Sequence, residues 1–374
     1  MTDIDRRTML GRSAAAVAGA AAAALVPIDL LDAAPPPAPW RAPRMRFGVV
    51  GINHGHIYGM VDALIRGGGE LVSFHAREPD LAAAFARRYP AAKPVGEERA
   101  VLEDPTLQVV ASAIVPVERA PLGIRVMRAG KEYFVDKPGI TTLAQLADVR
   151  RAQAETRRIY SIVYSERFEN GATVKAGELV KAGAIGRVVQ TVGLGPHRVG
   201  ATRPDWFWDP GQYGGILTDI ASHQFDQFLH FTGSTRAEVV ASQVRNANHP
   251  QRPAFQDFGD AMVRGDGGTG YVRVDWFTPA GLPTWGDTRL TIVGTEGYIE
   301  VRKNVDVAGR PGGNHLFLAD RDGVRYQDCD DVPLPFGRQF VDDVLHRTET
   351  AMTQAHCFLA TELALEAQRR AVVV

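Results

Sequence analysis

The run Phe47-Gly48-Val49-Val50-Gly51-Ile52-Asn53-His54-Gly55-His56 decides the fold. Residues 47–51 form a short apolar strand, residues 52–56 a turn holding Gly55, and the next ten residues a helix whose Met60, Leu64 and Ile65 share one face. The alternation then repeats. Residues 71–75 read as a strand, 81–89 as a helix, 109–115 as a strand, 121–129 as a helix and 133–135 as a strand ending at Asp136-Lys137-Pro138-Gly139. A helix at 143–156 and a strand at 160–164 complete the series. Strands alternating with helices predict a parallel sheet wound with helices.

From about Glu166 the texture changes. A helix at 173–182 leads through Gly183-Ala184-Ile185-Gly186 to strands near 188–194, and a helix is expected over 216–231. Short β-rich segments follow at 238–244, 261–263, 270–277, 289–293 and 297–301, separated by Gly, Pro and Asp turns. They predict one large, mainly antiparallel sheet, and a helix at 358–371 closes the chain. The expected organisation is therefore α/β, with a leader at 1–44, a Rossmann-type parallel-sheet domain at 45–165 and an α+β domain for substrate binding and oligomerisation at 166–374.

The chain has 374 residues, 45% of them hydrophobic, which is ample for two cores. A net charge of -1 and a pI near 6.8 offer no basic field for nucleic acid or an anionic membrane, so a small-molecule partner is expected. The two cysteines, Cys329 and Cys357, have no metal-ligand spacing. In the leader, Asp5-Arg6-Arg7-Thr8-Met9-Leu10 precedes an alanine-rich run at 14–26 and then Pro27, the pattern of a twin-arginine export signal. The run is shorter than the ~20 apolar residues of a membrane span. No stable membrane insertion is expected after export, and 35–43 reads as a proline-rich tether following cleavage after Ala24 or Ala34.

A strand entering a glycine turn and then a helix suits a dinucleotide, because free N–H groups and the helix dipole meet its pyrophosphate. Gly51, Asn53, His54, Gly55 and His56 would line that turn, although Asn53 and His56 stand where the G-x-G-x-x-G pattern has glycines. The second strand ends at His75-Ala76-Arg77 with no acidic residue for the ribose. A small residue followed by arginine accepts a 2'-phosphate, so Ala76 and Arg77 favour NADP, with NAD as the alternative.

Acid-Lys-Pro at Asp136-Lys137-Pro138, preceded by Gly130-Lys131, resembles the Glu-Lys-Pro signature of the Gfo/Idh/MocA dehydrogenases. The resemblance extends through Ala113-Ile114-Val115-Pro116, Gly183-Ala184-Ile185-Gly186, and Gly214-Gly215 leading to Asp219 and His223, and covers the chain after residue 44. It implies that Val115, Pro116, Asp136, Lys137 and Pro138 border the cofactor and that Lys137, Asp219 and His223 form the catalytic group. Oxidising a sugar hydroxyl needs a base for the proton while hydride leaves for the nicotinamide. His223 suits that task, Lys137 would stabilise the developing alkoxide, and Asp219, four residues before His223, would share a helix face with it.

Arg167, His197, Trp206 and Tyr213 are expected to join Asp219 and His223 around the substrate, since sugar pockets pair aromatic walls with polar edges. No spacing enforces a metal site among His54, His56, His197, His223, Asp219 and Asp226, and none is expected. The resemblance implies an oxidoreductase that passes hydride between a nicotinamide dinucleotide and a sugar or polyol, as a homodimer or homotetramer, and the leader adds export and with it a non-dissociable cofactor. Two readings stay open beside it: a glycosidase or lyase using transient sugar oxidation, and a sugar-binding protein without catalysis.

Overall fold

Strand β1 (Met45–Val50) is buried along nearly its whole length, as its near-continuous apolar sequence requires in a sheet covered on both faces. The computed structural model describes residues 42–200 and 202–374, and the leader motif at 5–10 lies outside them. After β1 come α1 (His56–Arg66), β2 (Gly69–His75), α2 (Pro79–Arg88), β3 (Lys93–Pro94), α3 (Glu98–Leu102), β4 (Val109–Ser112), α4 (Pro116–Arg128), β5 (Glu132–Asp136), α5 (Leu143–Thr156) and β6 (Tyr160–Val163). The six strands are parallel in the order β3-β2-β1-β4-β5-β6. The order reverses between β1 and β4, and in such sheets ligands bind in the crevice beyond the strand ends at that point. Gly51, Pro116 and Lys137 all follow strands there.

The chain continues through α6 (Ser165–Phe168), α7 (Gly171–Lys181), β7 (Val188–Pro196), α8 (Pro210–Tyr213), α9 (Ile216–Asp219) and α10 (Ser222–Thr232). Then follow β8 (Ala237–Arg245), β9 (Phe258–Gly265), β10 (Thr269–Asp275), β11 (Arg289–Gly294), β12 (Gly297–Lys303), β13 (Asn314–Asp320) and β14 (Gly323–Asp328), and finally α11 (Phe336–His346), α12 (Gln354–Arg370) and β15 (Val372–Val373). These nine strands form a sheet in the order β14-β13-β12-β11-β7-β10-β9-β8-β15. Its pairs are antiparallel except β7 with β10 and β8 with β15. One hydrophobic cluster runs through both sheets, from Phe47 and Val109 to Phe225 and Val274.

Three features differ from the sequence reading. The helix expected over 216–231 is broken into α9 and α10. The Ser222 hydroxyl donates to the Asp219 carbonyl at 2.8 Å, occupying the acceptor that a continuous helix would give to the His223 N–H, which turns to the Ile220 carbonyl instead. Strands β13 and β14 were not anticipated, nor was α11, which packs against α1 and brings Phe336 and Phe340 within 5.8 and 5.0 Å of Phe134. Two glycines allow that contact: a Cβ on Gly67 would lie 2.2 Å from the Gly337 carbonyl oxygen.

Gly51 carries a heavier constraint. Its φ is +76°, and a Cβ there would lie 2.5 Å from the Cβ of Ile114 at the end of the neighbouring strand. Gly51→Ala combines backbone strain with overpacking and is expected to destabilise the protein by about 2–4 kcal/mol, read as a lowered urea midpoint at unchanged slope.

Candidate functional site

The site is organised around Asp136, whose side chain is fully buried at the end of β5. Its carboxylate meets three donors: Arg119 Nη2 at 3.0 Å, His56 Nδ1 at 2.9 Å and His54 Nδ1 at 3.1 Å. Burial pushes the Asp136 carboxyl upward, but Arg119 and then the two histidines outweigh it and hold the group well below the carboxylate range. Arg119, 1% exposed inside α4, also donates to the carbonyls of Ile114, Asp136, Lys137 and Pro138, which fixes the loop carrying Lys137. The Lys137–Pro138 peptide in that loop is cis.

Lys137 is buried, and its Nζ donates to Asp219 Oδ1 of α9 at 2.8 Å. Burial raises the Asp219 carboxyl, and the charge and hydrogen bond of Lys137 bring it below its ordinary value. The charge of Lys137 also acts on His223 and His197. His223 is pushed down to about 4, by burial first; Glu166 opposes the fall while Lys137, His56 and Lys303 reinforce it. His197 falls to about 3 through burial and then Lys137, and His54 to about 4 through burial and then His56. At neutral pH these imidazoles keep a lone pair and can accept a proton or a hydroxyl hydrogen bond.

A dinucleotide fits the crevice by the chemistry of this end. The first turn of α1 opens over Gly55, where an added Cβ would meet nothing within 4 Å, and Gly51 makes the tight turn before it. Asn53, in a glycine position of the fingerprint, turns its amide away to Glu78 at 2.7 Å. Val115 and Pro116 sit at the start of α4, facing the same crevice end of the sheet. Ala76 packs beside the core, and Arg77 pairs with Glu118 at 2.8 Å while more than half exposed, a pairing weak enough to yield to a phosphate.

His54, His56 and Asp136 have ligand atoms within 4.8 Å of one another, a grouping the sequence did not suggest. With Arg119 bound to the carboxylate, Lys137 next in the chain and the positive end of α1 at hand, the surroundings favour an anion over a cation. The cluster reads as a carboxylate holding two imidazoles.

The substrate set divides. Trp206, partly exposed, lies 6.4 Å from the His54 ring, and His197 faces Trp285 at 4.5 Å and Trp276 at 5.5 Å. Tyr213 is 2% exposed and packs with Phe207 and Phe255 in an aromatic cluster, so it backs the site. Arg167 requires a correction. Its Nε and Nη2 donate to the two oxygens of buried Asp226, both at 2.7 Å, and it lines a separate cavity of about 540 Å³ with Phe168, His230 and Phe336. Its charge is spent on Asp226, which His356 also contacts at 2.8 Å.

Sequence reasoning missed Arg119, Lys303, Gln224 and Gln227, and met Glu166 only as the point where the pattern of elements changes. Lys303 donates to Glu166 Oε2 at 3.0 Å and to Gln227 Oε1 at 2.7 Å, all buried. No spacing signals this pairing of residues 137 positions apart. Both cysteines are free and buried. Among the described residues, no helix is long and apolar enough to cross a membrane.

Fold and site together define a two-sheet protein in which the carboxyl end of the parallel sheet presents a buried lysine, an aspartate and neutral histidines. Residues 173–300 match the GFO/IDH/MocA C-terminal domain. A solved structure from Erwinia carotovora atroseptica that carries an oxidoreductase designation is 46% identical, superposes with a TM-score of 0.86, and covers 88% of this chain and 99% of its own. Levoglucosan dehydrogenase of Pseudarthrobacter phenanthrenivorans is 28% identical over 214 residues, 53% of this chain and 51% of that one. The NAD(+) scyllo-inositol 2-dehydrogenase of Bacillus subtilis is 27% identical over 233 residues, 59% of this chain and 64% of that one. The chain spans about half the length of the first curated relative and just under two thirds of the second. Residues 173–300 thus carry the C-terminal domain of the Gfo/Idh/MocA family.

Proposed function

We propose that this chain is an NAD(P)-dependent oxidoreductase acting on a CH–OH group of a sugar or polyol. The observation that carries the reading is the Lys137 Nζ to Asp219 Oδ1 contact of 2.8 Å at the carboxyl end of the parallel sheet, with buried His223 four residues further along the chain. A nicotinamide dinucleotide bound there would supply the hydride acceptor. His223 takes the hydroxyl proton, Lys137 donates a hydrogen bond to the oxygen as charge develops, and Asp219 keeps the lysine aimed. His197 and Trp206 orient the remaining hydroxyls. Arg77 and the lack of an acidic residue after β2 support NADP over NAD.

The twin-arginine motif at 5–10 supports export in the folded state, to a periplasmic or other extracytoplasmic site, with the cofactor loaded beforehand. A captive cofactor follows, regenerated by a second sugar or by the same one. Family resemblance and the outer face of the large sheet support a homodimer or homotetramer. Met262, Tyr271, Val192, Thr291, Glu300, Phe317 and Tyr326 form one cross-strand row on that face, with Met262 53% exposed.

Mass spectrometry of the acid-released supernatant from protein purified without added cofactor tests the reading. Stoichiometric NADP is expected. NAD would move the cofactor assignment, and no nucleotide, with no binding on titration, would overturn the redox reading. The second reading, a sugar-binding protein without catalysis, draws support from the His56 ring at the third glycine position of the fingerprint.

A further inference from the structure

Away from the crevice, α6, α7, α10, α11 and the start of β7 border a cavity of about 540 Å³ that the hydride-transfer reading does not use. Its walls are largely apolar, with Phe168, Val174, Val188, Phe231 and Phe336 among them. Two cations on the lining, Lys181 and Arg187, are exposed and form no ion pair among the described residues. The one acid there, Glu178, is taken by Lys175 Nζ at 2.9 Å. Arg167 adds a buried donor to the same space. Its side chain is 10% exposed, its Nε and Nη2 are held by Asp226, and its Nη1 has no hydrogen-bond partner among the described residues.

We propose that this cavity is a second small-molecule site and takes an apolar monoanion, a carboxylate carried on a compact aromatic or aliphatic body. Its volume lies in the range of small-molecule sites. The apolar body leaves water against Phe231 and Val188, and the carboxylate accepts a charge-assisted hydrogen bond from Arg167 Nη1. Lys181 and Arg187, with Glu178 already matched, leave a positive field that draws an anion in. A sugar fits poorly, because each hydroxyl buried against these walls would need a polar partner. A phosphate dianion fits poorly too, since the only buried guanidinium on the lining is already matched by Asp226. His230 also lines the cavity, and burial, then Arg167, pushes it down to about 3, so it adds no charge at neutral pH. It lies seven residues after His223 on α10, about two helical turns away, which separates the cavity from the proposed base.

Calorimetric titration of the full chain with 4-bromobenzoate, and with its neutral amide 4-bromobenzamide, tests the site without nucleotide or sugar. The acid is expected to bind about tenfold more tightly than the amide, the ratio that one charge-assisted hydrogen bond supplies, and to weaken as salt is added. Lys181→Glu combined with Arg187→Glu, both at exposed positions, should remove that preference and leave the affinity for the amide unchanged. Val174→Trp, which fills the cavity, should abolish binding of both compounds. In crystals soaked with the acid, bromine anomalous density is expected between Arg167 and Phe231. No binding, equal affinities for acid and amide, or bromine located outside the cavity overturns the proposal even if the variants fail to fold. Acid bound in the cavity of protein that takes up no nucleotide would sink the redox reading and leave this site standing.

Discussion

Lys137→Met is expected to slow hydride transfer by about 10²–10³-fold while leaving the nucleotide content of the purified protein unchanged, since removing one preaimed donor at a developing oxyanion costs that much. The buried position of Lys137 is the reason for a large effect: water cannot easily replace its amino group, and Asp219 fixes it at 2.8 Å. Methionine fills similar volume without a donor. Asp219, having lost the partner that lowers its carboxyl, should return toward higher values, so its protonation would begin at higher pH in the variant. Arginine should rescue poorly, because a planar guanidinium cannot occupy the site of a compact ammonium. The measurement is the single-turnover change in nicotinamide absorbance on mixing with a panel of sugars and polyols. A variant that reduces its nucleotide at the wild-type rate would remove Lys137 from the chemistry.

Much of this architecture was legible because it is locally encoded. The apolar run at 47–51 with its glycine turn, the positions of Met60, Leu64 and Ile65, and the helix at 143–156 each follow from a few neighbouring residues. Lys137, Asp219 and His223 were visible through motif order, and the structure pairs the first two at 2.8 Å. What escaped is non-local or a tertiary override. The break between Asp219 and Ser222 depends on one side-chain hydroxyl competing for a carbonyl. Strand β14 carries the partly polar pattern of a sheet edge and is largely exposed, so no apolar run announces it, whereas β13 does hold a short apolar run, Leu316-Phe317-Leu318-Ala319. Arg119 looks like any surface arginine of a helix, and only the fold reveals it beneath Asp136. Arg167 looked like a ligand residue for the converse reason: its partner Asp226 is 59 positions away.

The second large effect is expected at Asp136. Asp136→Asn keeps the shape of the side chain but removes the charge that Arg119, 1% exposed, was buried against. Removing one partner of a buried ion pair leaves the other uncompensated and typically costs about 3–5 kcal/mol, so a loss of that size is expected in urea unfolding at neutral pH. The sign of its pH dependence is fixed by the direction of the shift. The Asp136 carboxyl is held well below its ordinary value in the folded state, so its contribution is complete above the unfolded carboxylate value, near pH 4, and is lost as the pH falls further. The gap between wild type and Asp136→Asn should therefore be widest at neutral pH and narrow progressively in acid. A gap that stayed constant from neutral pH into that acid range would mean that the amide disturbs packing alone. The same carboxylate orients His54 and His56, so the variant that remains folded at neutral pH should also bind the dinucleotide more weakly, a loss separable by titration from the loss of stability.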